Sequence, residues 1–349
     1  DGVVNGCPSH LLEPSRLQLI QYSEDFSDAS WTKGGTSVTS GFVSPDGTLN
    51  ADKITPTGIN EAHQIYQNKT ITSNQSYTIS AFMKFGGYRY LECRETFGGK
   101  GIGFDTTTQT FYGINTPTSF KGVILKNGWV RMEATYTSIG TSAFFLLYST
   151  PILMNPTFLG DGTSGFYTWG AQLEQGSYAT SYIPTTSSAV TRVAETANGA
   201  GDASTFNDSE GVLMAEISAL ANIGSFENIS LSNGSSASRV FLFYRNSLNL
   251  MEFRVTVNNS IQMVFQHTIA DAKTSNKFAI KYKENDFAIW INGIEVHTDP
   301  NGITFGSFPL TNLSLDNGQV SSPTDPFKGK TKQLQYFDSA LNDSDLETI

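Results

Sequence analysis

Hydrolysis of a glycosidic bond needs two carboxyl groups on one surface, about 5 Å apart in retaining enzymes or roughly 6.5–9.5 Å apart in inverting ones. The nearest candidates in this chain are Glu92, Glu95 and Glu133, and their neighbours include Arg94 and Arg131. Ion pairing or ligand contact fits those carboxylates better than acid–base catalysis. A polysaccharide lyase needs a Tyr/His pair and an Arg or Gln to neutralise a uronate. His63-Gln64-Ile65-Tyr66 holds some of those residue types, but it falls within a stretch that reads as an ordinary strand. His10, His267 and His297 have no companions in sequence that suggest a site. There is no Gly-x-Ser-x-Gly elbow, no Walker loop, no CxxC and no Cys/His zinc spacing.

A second chemistry is sugar binding. Pyranose rings stack on Tyr or Trp, and planar polar groups then fix their hydroxyls. Side chains alternate along a strand. In the strand read over Tyr88–Phe97, alternation puts Tyr88, Tyr90, Glu92 and Arg94 opposite Leu91 and Cys93. In Trp129–Tyr136 it puts Trp129, Arg131 and Glu133 opposite Val130 and Met132. If the two strands share a sheet, then Tyr88, Tyr90, Arg94, Trp129, Arg131 and Glu133 form one outward patch for carbohydrate. The competing reading packs the tyrosines beneath a loop.

The elements that would position these residues are strands. Long helical patterns are absent, aromatics reach 12%, and Gly, Ser, Thr and Asn are abundant. That profile predicts an all-β protein of many turns, and 349 residues suit two domains. A net charge of −10 disfavours nucleic acid and anionic membranes as partners. It also disfavours a strongly acidic polysaccharide, unless local Arg or Lys residues make the contact. No apolar run of transmembrane length occurs, so no membrane insertion is expected. The two cysteines, Cys7 and Cys93, read as free thiols, with a single disulfide from arm to strand left open.

In chain order, residues 1–14 read as an N-terminal arm and 15–192 as the first sandwich. Within it Tyr77, Ile79, Ala81 and Met83 share one strand face, and Ser44-Pro45-Asp46-Gly47 is a turn by residue chemistry. Phe166–Leu173 is a final core strand, and Pro184 holds the following SYIPTT extended. Residues 193–209 are small and polar without periodicity and read as a linker. The second domain spans 210–349. Its strand candidates are Val212–Ile217, Arg239–Arg245, Met251–Val257, Ile261–Phe265, Phe278–Lys283, Phe287–Ile291 and Lys328–Phe337. Asn292-Gly293 is a strong type I′ hairpin signal, and Asn342 reads as the cap of a short helical turn.

Two long motifs carry a resemblance. LLEPSRLQLIQYSEDFSDASWTK (Leu11–Lys33) and GFYTWGAQLEQGSYATSYIPTTSSAVTR (Gly165–Arg192) resemble the opening and closing signatures of a domain found in phage tail-fibre and virion-appendage proteins. SPDGTLNADKI (Ser44–Ile54) and NGWVRMEATYT (Asn127–Thr137) fall between them in family order, and Ser15-Arg16-Leu17 departs slightly from the family's Gln-Arg-Thr. Residues 210–349 resemble a concanavalin A-like, laminin-G-like sandwich through EGVLMAEIS, FAIWINGIEV and FKGKTKQLQYFDSALNDSDLE. The fold class expected is therefore two tandem jelly-roll or concanavalin A-like β-sandwich domains. The Glu-x-Asp-x-x-Glu strand of concanavalin A-like hydrolases is absent. Jelly-roll modules often hold a structural Ca2+, for which Glu24, Asp25, Asp46 and Glu174 are the candidate ligands.

What the resemblance implies is a virion-surface protein, a tail or head appendage, that binds bacterial surface polysaccharide without catalysis. Its partners would be that glycan, other virion proteins and further copies of itself in a trimer. Because the chain begins within a family motif, it is expected to be a piece of a longer or processed protein. A secreted bacterial carbohydrate-binding or polysaccharide-degrading protein, and a purely structural fibre spacer, are the alternatives.

Overall fold

The computed structural model describes residues 9–95, 99–221, 226–247 and 249–348. They form two compact units. The first is Ser15–Val193, and the second begins at Ala194 and also takes in the segment before Ser15. Each is a sandwich of antiparallel sheets. No helix of the described residues is long and apolar enough to cross a membrane.

In the first unit, Trp129–Thr137, Ser76–Gly86 and Gly165–Gln175 lie side by side at the centre of an eight-stranded sheet. Their alternation sends Tyr77, Ile79, Ala81 and Met83, with Val130, Met132, Ala134 and Tyr136, into one core. The facing sheet has six strands, among them Thr110–Ile114, Gly101–Asp105, Tyr90–Arg94 and Ser142–Thr150. It supplies Leu91, Cys93, Ile102, Phe104, Phe145 and Leu147 to the same core. Each such side chain, once fully buried, contributes roughly 1.5–3 kcal/mol relative to exposure. Cys93 is a free thiol in that core, and burial pushes its pKa up. Cys7 lies outside the described residues.

The closing motif folds back over the outer face of the eight-stranded sheet and is tied down by buried polar groups. Gly170, at φ +64°, allows a bulge between Trp169 and Gln172, and a Cβ there would meet the Phe82 ring at 2.9 Å. Gln172 and Glu174 follow, both fully buried. Gln172 accepts from Ile183 N at 2.8 Å, and Glu174 accepts from Thr180 N at 3.1 Å and from Gln172 Nε2. Gln18, brought alongside from the opening motif, donates to Ala171 O at 2.7 Å and accepts from Leu173 N at 2.9 Å. The residues that carry the resemblance thus satisfy one another's hydrogen bonds in the interior, which is an architectural role.

The second unit pairs a six-stranded sheet, built around Glu210–Ala219, Asn276–Lys283 and Gly329–Phe337, with a five-stranded one. The five strands run in the order Ser260–Thr268, Leu250–Val257, Arg239–Tyr244, Glu227–Ser232 and Asn312–Ser314. Asn292 and Gly293 both take positive φ, 51° and 77°, as a type I′ hairpin requires. Asn342 caps Asp343–Leu346 by accepting from Asp345 N at 3.0 Å.

Two expectations need correction. The segment before Ser15 is not a free arm, because His10–Leu12 adds an edge strand to Gly329–Phe337 and Leu12 enters the second unit's core. An open sheet edge carries unpaired backbone groups, and a short strand from far away in sequence covers it. Residues 193–209 are not a loose linker either. Ala200 and Leu313 exchange backbone hydrogen bonds, Glu195 N donates to Glu13 O at 3.0 Å, and Phe206 is buried. Tertiary partners give those small residues the order that their own periodicity lacks.

Candidate functional site

The six residues expected to form one patch do not. Tyr90–Arg94 belongs to the six-stranded sheet of the first unit and Trp129–Thr137 to the eight-stranded sheet across the core, so their outer faces point in opposite directions. The premise that the two strands share a sheet fails, because alternation fixes a side chain's face but not the sheet that its strand joins.

The two halves are each committed to internal partners. Glu92 is fully buried and receives Arg94 Nε at 2.9 Å, Tyr112 Oη at 3.0 Å, Met154 N at 3.0 Å and the Tyr148 hydroxyl. Arg94 is 4% exposed, with its guanidinium 5.3 Å from the Tyr148 ring. Gly103 makes room for this arrangement, since a Cβ there would sit 2.1 Å from the Tyr112 ring. Tyr88 packs on Phe158 and accepts from Asp161 N at 3.1 Å, while Tyr90 lies beneath Arg89. Across the core, Trp129 is buried with Trp169, and Arg131 donates to Thr180 O at 2.6 Å. Burial raises the Glu133 carboxyl above its usual range, and Arg131 at 3.1 Å offsets this in part. Glu92 and Glu133 therefore lie in different sheets, which is not the arrangement of a glycosidase pair. His63 is buried with each ring nitrogen against a backbone carbonyl, Gly35 O and Phe158 O, which is a packing role.

The residues named for calcium do not converge. Asp46 Oδ1 accepts from Thr48 N at 2.9 Å and Asp25 Oδ1 from Ser27 N at 3.1 Å, both local turn bonds. Glu24 accepts from Asn50 Nδ2 at 2.8 Å. Glu174 is taken up by Thr180, Gln172 and Arg16, the last at 3.4 Å. These side chains do not fit a calcium cage. Among the described residues no group of three or more His, Cys, Asp or Glu is arranged to hold a metal ion.

The strongest candidate is a cleft on the outer face of the five-stranded sheet, with a volume of about 270 Å³. Alternation in Arg239–Tyr244 turns Val240, Leu242 and Tyr244 to the core, and leaves Arg239, Phe241 and Phe243 on the cleft side. Leu250–Val257 does the same, with Met251, Phe253 and Val255 inside and Glu252 and Arg254 outside. Phe241 and Phe243 stack at 4.9 Å with an interplanar angle of 8°. Arginines then cover them. Arg239 sits 4.1 Å from the Phe241 centroid and Arg254 5.5 Å from it. Fully buried Glu252 pairs with both Arg254 and Arg245. Phe226, 38% exposed, closes one side as the most open ring of the cleft, with the Arg245 guanidinium 5.9 Å from its centroid, and Asn228, Asn317 and Asp325 add polar groups. Arg239 Nη1 donates to Asn317 O at 2.6 Å, which ties the loop after Asn312–Ser314 to the sheet.

This cleft was legible only in part. RVFLFYR reads as a strand, and its alternation already sets Arg239, Phe241, Phe243 and Arg245 on one side. The neighbouring strand Glu227–Ser232 was missed, because ENISLS is short and offers only two apolar residues, Ile229 and Leu231, to its core face. The loop that brings Asn317 and Asp325 over the sheet has no local signature.

No protein-family model matches the chain, and no curated protein sequence does. Among solved structures it is similar to the CBM40 of the Ruminococcus gnavus IT-sialidase bound to α2,3-sialyllactose, at 16% identity over 44% of this chain and 92% of that one, with a TM-score of 0.37. It is similar to the leech intramolecular trans-sialidase at 15% identity over 44% of this chain and 26% of that one, with a TM-score of 0.36. Similarity also extends to CG-16, a homodimeric agglutinin from chicken liver, at 8% identity over 41% and 99% of the two chains, with a TM-score of 0.26.

Proposed function

We propose that this chain is a non-catalytic glycan-binding protein whose binding surface is the cleft over Arg239–Tyr244 and Leu250–Val257. The observation that carries the reading is the combination in one open cleft of a partly exposed ring, Phe226, with arginine and asparagine side chains. A sugar ring stacks on the first while its hydroxyls bond to the second. At about 270 Å³ the cleft is below the roughly 300–1,000 Å³ of pockets for drug-sized ligands, so one sugar unit is the natural occupant. Single-site affinity is then modest, because ordering the ligand offsets much of the contact energy.

We further propose that the protein acts at a virion surface and contacts bacterial surface polysaccharide. The two phage-type motifs of the first unit support this, in family order around one sandwich. In a homotrimeric fibre, effective concentration would turn weak sites into firm attachment. The first unit serves as the scaffold, since its named aromatic and charged residues are occupied internally.

A glycan array read with the whole chain tests the binding reading. Phe226→Ala should weaken every hit about tenfold, the equivalent of about 1.4 kcal/mol of lost stacking, with the melting temperature unchanged. Hits that survive Phe226→Ala at full strength would place the site elsewhere.

A further inference from the structure

The cleft holds more positive charge than it neutralises. Three arginines border it, Arg239, Arg245 and Arg254, against two carboxylates, Glu252 and Asp325. Glu252 is shared by Arg245 and Arg254. Asp325 Oδ2 accepts from Thr324 Oγ1 at 3.0 Å, and among the described residues it makes no ion pair with an arginine of the cleft. Arg239 is left with a carbonyl, Asn317 O, and has no carboxylate partner among the described residues. Burial and the charge of Arg254 both push its pKa down, as expected for a cation that lacks a counter-ion. The Nε atoms of Arg239 and Arg254 make no hydrogen bond.

The floor of the cleft has the same bias. Phe241 and Phe243 are about 95% covered, with exposures of 4% and 5%. A ligand that enters therefore meets guanidinium groups stacked on those rings rather than the rings themselves. A stacked guanidinium is planar, weakly hydrated and held in place, so it loses little entropy when it grips a carboxylate. Phe226 at the margin, with Arg245 5.9 Å from its centroid, is still 38% exposed and offers that remaining area to an apolar ring face.

We propose that the ligand of this cleft is an acidic sugar, whose carboxylate is held by Arg239 and Arg254 while its ring lies against Phe226. The proposal rests on the glycan-binding reading above and names the class of sugar. It also reconciles the cleft with the protein's net charge of −10, since a local cluster of arginines supplies attraction that the chain as a whole does not.

The test is calorimetric titration of the whole chain with the methyl glycosides of glucuronate, galacturonate and N-acetylneuraminate. Each is paired with its carboxyl methyl ester, and inorganic sulfate is run as a bare anion. At least one acid should bind tenfold or more tightly than its ester and than sulfate, and raising NaCl from 0.05 to 0.5 M, values of the assay chosen to screen charge, should narrow the gap. Arg239→Gln should abolish the preference, so that the acid and its ester bind that variant equally. Its melting temperature is read alongside, because the variant loses the bond to Asn317 O as well as the charge. Equal affinity for acid and ester would overturn the acidic-sugar inference and leave the glycan reading intact. Sulfate binding as tightly as the acid would overturn the sugar half. Absence of binding by every acid and ester would overturn the inference together with the reading beneath it.

Discussion

Replacing Glu92 by alanine should unfold the first unit at a much lower temperature, and the structure sets the size of the effect. The carboxylate is fully buried and receives donors from Arg94, Tyr112, Tyr148 and Met154. Without it, Arg94 remains 4% exposed with no carboxylate beside it, and two tyrosine hydroxyls lose their acceptor. Breaking a buried pair from one side costs about 3–5 kcal/mol, because the remaining charge stays desolvated. For a unit of this size each kcal/mol moves the melting temperature by about 2–4 °C, so a fall of roughly 6–20 °C is expected. Differential scanning calorimetry of the whole chain reads this directly. The double replacement Glu92→Leu with Arg94→Met should recover much of the loss, since it removes both charges together. A fall of less than about 3 °C on the scale just given, or a double variant less stable than Glu92→Ala alone, would refute the structural role. Arg94 would then return as a ligand residue.

Further outcomes follow from single buried groups. Burial pushes Glu227 up to about 8, against 4.5 for an ordinary glutamate carboxyl, so the folded protein keeps a proton that the unfolded chain releases between those values. The stability this confers is full below about pH 4.5 and is lost as pH rises to about 8. Glu227→Gln should flatten that slope and stabilise the protein at pH 9 by about 2–4 kcal/mol, measured by urea unfolding across pH; an unchanged slope would show the carboxylate to be solvated. Cys93, at 0% exposure, should resist a thiol reagent in the native state and react fully in denaturant. Rapid native labelling would contradict the core packing. Gly103→Ala should destabilise the first unit by about 1–3 kcal/mol by displacing the Tyr112 ring, with little change if that ring is free to move.

The sequence by itself determined what alternation and turn chemistry can carry. Val130, Met132, Ala134 and Tyr136 enter the core as their spacing demands, Asn292-Gly293 turns with positive φ at both positions, and Asn342 caps its short helix. Those outcomes depend on neighbours within a few residues, so local chemistry is enough. Tertiary structure decided which strands share a sheet, and with that the fate of every proposed site. Tyr90 and Trp129 were placed correctly on the outer faces of their own strands, but the strands joined opposite sheets. Of the carboxylates named for calcium, Asp25 and Asp46 found partners in their own turns, Glu24 found Asn50, and Glu174 found Thr180, Gln172 and, across 158 residues of chain, Arg16. The cleft needed three consecutive strands, Glu227–Ser232, Arg239–Tyr244 and Leu250–Val257, and a loop from much later in the chain, and no local spacing encodes the arrival of that loop. Strand pairing is set by the burial of whole faces and by the cost of open edges, both of which are properties of the assembled sheets and not of any one segment.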